Sequence, residues 1–111
     1  MDEAQKIELM NEASNTYRRA LDMEPKNAET WKNYGVALTI VGQWEKSRTA
    51  LETALKLKQD DPELYIALAD VSLRGFNDKQ KALFYVNRAL QLNLSAQTRQ
   101  YLENLRTTIM K

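Results

Sequence analysis

Apolar residues recur at steps of three and four along almost the whole chain, the spacing of one face of an α-helix. Ile7, Met10, Ala13, Tyr17, Ala20 and Leu21 draw the first such stripe and predict one uninterrupted helix over 2–24. Asp2 and Glu3 stand where the positive end of the helix dipole favours them. Pro25 follows the last turn, and Lys26-Asn27 make the connection. Trp31, Tyr34, Gly35 and Leu38 share one face of a helix over 28–41. Gly42 interrupts the pattern and suits a left-handed cap. Trp44, Ser47, Leu51, Ala54, Leu55 and Leu57 carry the next helix, 44–58, which Asp60-Asp61-Pro62 closes. A helix over 62–74 follows, with Pro62 tolerated at its start. Gly75-Phe76-Asn77-Asp78 read as a turn longer than Gly42-Gln43, with Asp78 capping a helix over 79–92. Ser95 caps the last helix, 96–110, in which Tyr101, Leu102, Leu105 and Ile109 are apolar and Gln97, Arg99, Gln100, Glu103, Asn104 and Arg106 make the wet side.

The pattern also repeats on a longer scale. Ala20-Leu21-x-Met23 returns as Ala54-Leu55-x-Leu57, 34 residues on, and as Ala89-Leu90-x-Leu92 after a further 35. Trp31 returns as Tyr65 at the same offset of 34, and Ala28-Glu29 as Pro62-Glu63. A period of this length, made of two helices, is the mark of a stacked repeat array. A single pair of helices cannot bury its apolar face, whereas a stack of three pairs can. Gly35, lacking a Cβ, is expected to let a neighbouring helix come close beside Trp31.

On these residues the chain resembles the tetratricopeptide repeat (TPR) family. Trp31-x-x-Tyr34-Gly35-x-x-Leu38 matches the first helix of a unit, and Ser47, Leu51 and Ala54 match the small, large and small positions of the second. The likeness runs from about Ala13 to Leu94. It implies an all-α fold, a right-handed solenoid of about six antiparallel helices, with residues 1–111 as one domain: an N-terminal helix 2–24, repeats at 28–58 and 62–92, and a capping helix 95–110. The second half of helix 2–24 takes the place of the second helix of a unit whose first helix is missing, which leaves open whether Met1 is the natural start of the chain.

Composition narrows the function. Sixteen basic residues against fifteen acidic leave +1, so no strong field of one sign is available to steer nucleic acid or to hold an anionic membrane. No apolar run approaches the ~20 residues of a membrane span, so this segment is not expected to insert in one. With no histidine and no cysteine, nucleophile–His pairs and His or Cys metal sites are ruled out. The three glycines form no phosphate-binding motif. No metal, no cofactor and no enzymatic activity are expected. Asp60, Asp61 and Glu63 read as a solvated turn that caps the helix at Pro62, since dedicated calcium loops need more ligands at set spacing. Lys79, Lys81, Arg88, Arg99, Arg106 and Lys111 give the last third a basic excess, read as ordinary solvated surface without interleaved aromatic residues. Trp31 and Trp44 read as core. Compartment stays unassigned: cytoplasmic by default, periplasmic if a leader or anchor precedes the segment.

What remains is the concave face, which in TPR proteins is lined by the first helix of each pair and binds peptides. The resemblance assigns to it Lys32, Asn33, Val36 and Ile40, with Thr39, from one helix, and Ile66, Asp70 and Leu73, with Ala67 and Arg74, from the next. One TPR subclass clamps the C-terminal carboxylate of heat-shock chaperones. Asn33 matches its middle asparagine, but Glu63 and Ala67 occupy the places of its lysine and arginine, so that activity is rejected. The implied function is a protein–protein interaction scaffold that holds a peptide or partner protein. Two narrower alternatives stay open. One is an oligomerisation or assembly domain of a larger complex. The other is an apocytochrome-holding, chaperone-like domain, because Asp61–Val71 with the long turn after it resembles TPR domains of bacterial cytochrome c maturation factors. At ~1.5 Å per residue, helix 2–24 is about 35 Å long and outruns its neighbours. Ile7, Leu9 and Met10 are therefore expected to overhang the stack as an assembly surface, with a homo-oligomer through this helix as one outcome.

Overall fold

A computed structural model describes residues 2–111. Among them there are six α-helices and no strand: α1 (Glu3–Met23), α2 (Ala28–Ile40), α3 (Trp44–Leu57), α4 (Pro62–Phe76), α5 (Lys79–Leu90) and α6 (Ala96–Met110). Side chains start most of them. Asp2 and Gln5 exchange bonds in a capping box, Gln5 N–H donating to Asp2 Oδ1 at 2.8 Å and Asp2 N–H to Gln5 Oε1 at 3.1 Å. Asn27 accepts from Thr30 N–H, Asp61 from Glu63 N–H, Asp78 from Lys81 N–H and Ser95 from Thr98 N–H, all at 3.0–3.1 Å. Each of these bonds satisfies a backbone donor that the helix itself leaves unpaired.

The chain forms two compact units, one up to Gln59 and one from Asp60 onward. In the first, α2 packs against both α1 and α3. Its buried residues include Leu21 from α1, Gly35, Ala37 and Leu38 from α2, and Ser47, Ala50, Leu51 and Ala54 from α3. Three oxygens join α2 to α3: Ser47 Oγ donates to the Gly35 carbonyl at 2.8 Å, Thr39 Oγ1 donates to the same carbonyl at 3.1 Å, and the two hydroxyls stand 2.7 Å apart. Two hydroxyl protons serve these three contacts. In the second unit α5 packs against α4 and α6. Leu68, Ala69 and Val71 of α4, Ala82, Val86 and Ala89 of α5, and Leu102 of α6 are shut off from water.

Three expectations need correction. Gly75 and Phe76 do not belong to a turn; they continue α4 to Phe76. The turn is short because Asn77 adopts the left-handed conformation at φ 48°, as Gly42 does at φ 77° after α2. The N–H groups of Asn77 and Asp78 then take up the carbonyls of Leu73 and Ser72. The tryptophans are only half-buried. Trp31 lies in the first turn of α2 and Trp44 opens α3, so both rings lie at helix ends. The Trp31 indole reaches back over the preceding turn, where Nε1 donates to the Pro25 carbonyl at 2.7 Å. Finally, Ala20 is exposed whereas its repeat equivalents Ala54 and Ala89 are buried. No helix precedes α1 among the described residues to cover that side.

Candidate functional site

The face of α2 away from α3 carries Asn33, Val36 and Ile40, spaced so that one turn of helix separates neighbours. All three are exposed, Val36 by 42% and Ile40 by 39%. The opposite side of the same helix holds Leu38 and Gly35 in the core, so packing of that side fixes the orientation of the open one. Lys32 behaves differently. Its side chain is only 11% exposed, and its Nζ stands 3.3 Å from Glu29 Oε2, one turn earlier. The long aliphatic stem is covered and the ammonium head is engaged. Lys32 thus presents no free charge on this face.

On α4 the candidate residues are Ile66, Asp70 and Leu73, all half-buried. Asp70 accepts two hydrogen bonds from Arg74, from Nε at 2.8 Å and from Nη2 at 2.7 Å. Donation of these hydrogen bonds to Asp70, reinforced by the carboxylate's charge, holds the Arg74 guanidinium above its ordinary pKa. Val36 and Asp70 stand at equivalent places of the repeat, as do Ile40 and Arg74. The two first helices therefore differ in chemistry: α2 offers aliphatic side chains and an amide, α4 an ion pair flanked by aliphatic groups.

At the front of α1, Ile7 and Leu9 are exposed and Met10 is half-buried. At 3.6 residues per turn, Leu9 stands about 200° around the helix from Ile7. Ile7 and Met10 thus share the side that continues to buried Ser14 and Leu21, and Leu9 does not. Two shallow hollows of about 400 and 420 Å³ lie at helix ends, one around Glu24, Pro25, Lys26 and Asn27 and one from Phe76 to Gln80. Neither includes a candidate residue named above. No helix among the described residues is long and apolar enough to cross a membrane.

One exposed aromatic residue escaped the sequence reading. Phe84 on α5 is 53% exposed and lies between Lys81 and Arg88 on the helix surface. The signal was present as Lys81-x-x-Phe84-x-x-x-Arg88, whose helical spacing puts an aromatic ring among the charges.

Comparison with known proteins places the chain. Residues 10–71 match the tetratricopeptide repeat family. A tetratricopeptide repeat-containing protein of Caenorhabditis elegans, trd-1, is 26% identical over 110 residues, covering 97% of this chain and 14% of that protein. The chain thus spans a small fraction of the length of that relative.

Proposed function

The chain belongs to the tetratricopeptide repeat family, and on that premise we propose that it is a binding module without catalytic activity. A segment of a partner protein is held against the Asn33–Val36–Ile40 face of α2, and the Ile66–Asp70–Leu73 face of α4 is a candidate contact surface in its own right. The observation that carries this reading is the exposure of Val36 and Ile40 along one line of a helix whose other side is locked in the core. Aliphatic groups held open on a rigid element gain from being covered, and the helix loses little entropy when that happens. Asn33 adds an amide that can bond to a partner's backbone. The face of α4, with its Asp70–Arg74 pair, suits polar groups better than aliphatic ones. An amphipathic segment, with an apolar side for Val36 and Ile40 and a polar group for Asn33, is the ligand class that the α2 face accepts.

The test is a photoreactive residue placed at Asn33, at Ile66 or, as a control, at Glu103 on α6. Protein cross-linked in a cell extract at Asn33 and lost there when Val36→Glu is added supports the reading for α2, and cross-linking at Ile66 above the control supports it for α4. Equal cross-linking at all three positions overturns it.

A second reading rests on α1. Ile7 continues, exposed, the side of the helix on which Met10 is half-buried and Ser14 and Leu21 are buried. We propose that a second copy of the chain covers it. Sedimentation equilibrium should then give a dimer that Ile7→Glu dissociates and Leu9→Glu does not. A monomer throughout removes this reading.

A further inference from the structure

We propose that the outward face of α5, centred on Phe84 between Lys81 and Arg88, docks an acidic segment of a partner protein. The segment lays an apolar side chain on the Phe84 ring and sets a carboxylate on either side of it. Phe84 is a large apolar group with more than half its surface in water, on a helix whose Ala82, Tyr85, Val86 and Ala89 are buried. Lys81 Nζ lies 5.7 Å from the Phe84 ring centre and Arg88 Cζ 6.0 Å from it. Lys81 is also 5.7 Å from the centre of the Tyr85 ring, which meets Phe84 edge-on at 5.4 Å. The cations are held against the aromatic surface by attraction to the ring faces. Neither has a carboxylate partner among the described residues. Their positive charge is therefore available to a ligand.

Charge decides which ligand. α5 contains no acidic residue, and from Lys79 to the end of the chain six cations face one acid, Glu103. Arg106 of α6 adds to the same neighbourhood, donating from Nη1 to Asn87 Oδ1 at 3.4 Å, one turn beyond Phe84. Before Lys79 the balance reverses, with fourteen acids against ten bases. A long polyanion would meet repulsion along most of the chain, and stacking of single-stranded nucleic acid uses several aromatic rings in succession. A short acidic segment confined to α5 meets no acidic residue on that helix. This surface is separate from the first-helix faces, and either can fail without the other.

The experiment uses the full chain and a short fluorescein-labelled peptide of aspartate and glutamate around a Leu-Phe pair, read by anisotropy. Its amide counterpart of asparagine and glutamine and an oligothymidylate serve as comparison probes. The expected result is binding of the acidic peptide that weakens with added salt, with no binding of the amide peptide. Arg88→Gln and Phe84→Ala should each lower the affinity about tenfold, while Val36→Glu leaves it unchanged. Both variants alter exposed side chains, and their melting curves should match that of the original chain. The proposal is overturned if the acidic peptide does not bind, if Arg88→Gln and Phe84→Ala bind it undiminished, or if the oligonucleotide binds more tightly. It is equally overturned if sedimentation shows this face occupied by the acidic part of a second copy.

Discussion

A Cβ built on Gly35 would stand 2.6 Å from Cγ and 2.7 Å from Cδ2 of Leu51. Leu51 is fully buried, and Cγ is the branch point of its side chain, so the clash cannot be relieved by swinging a free end. The absence of a side chain at Gly35 is thus what lets α2 and α3 lie together. Gly35→Ala should destabilise the fold by about 1–3 kcal/mol, against the roughly 1 kcal/mol that alanine gains in helix propensity. Leu51→Ala alone should cost about 2–5 kcal/mol. Combined, Gly35→Ala should become neutral or stabilising, because the atoms it strikes are gone. Urea unfolding of the four proteins measures that coupling; additive effects would place Gly35 away from Leu51.

Ser47 should matter through its hydroxyl. Ser47→Ala removes one of the two protons shared with Thr39 and the Gly35 carbonyl. The expected loss is about 1 kcal/mol in urea unfolding, because Thr39 still donates to that carbonyl. Ser47→Ala with Thr39→Val leaves the carbonyl without a hydroxyl donor and should cost more than the two single changes together.

Trp31→Phe keeps an aromatic ring and removes the bond to the Pro25 carbonyl. A loss of about 0.5–1.5 kcal/mol is expected. No change in thermal or urea stability would show that the indole N–H contributes nothing at this turn.

Asn77 holds the left-handed conformation that ends α4. Asn77→Gly should leave stability unchanged or raise it slightly, and Asn77→Val should lower it by about 1–2 kcal/mol, because a β-branched side chain without asparagine's local hydrogen bonding fits that conformation poorly. Equal melting temperatures for the two variants would contradict this role.

These residues also show what could be read from the sequence. The six helices were legible because each keeps apolar residues at helical spacing with at least one in the core, Leu21, Leu38, Leu51, Leu68, Val86 and Leu102 in turn. Gly75 misled because glycine ordinarily breaks a helix, and the left-handed duty fell instead to Asn77 two residues later. Buried Ser14 and Ser72 leave no trace in an apolar pattern; each donates to a carbonyl one turn back, Met10 and Leu68, and so loses its cost within its own helix. For the candidate site, repeat register found the open line of α2. It did not foresee that Lys32 would turn its stem inward and meet Glu29, since spacing gives the face of a Cβ and not the course of a long side chain. Phe84 is separated from Lys81 and Arg88 along the chain, and only the winding of the helix brings the three side chains onto one face.

The central claim is that the exposed line of α2 is where a partner binds. The most direct measurement is a set of amide shifts from the labelled chain, recorded as the partner recovered by cross-linking at Asn33 is added. Shifts concentrated at Asn33, Val36 and Ile40, and abolished by Val36→Glu without change in the melting curve, are the predicted result. Shifts confined to α3 or α6, with α2 unmoved, would contradict it.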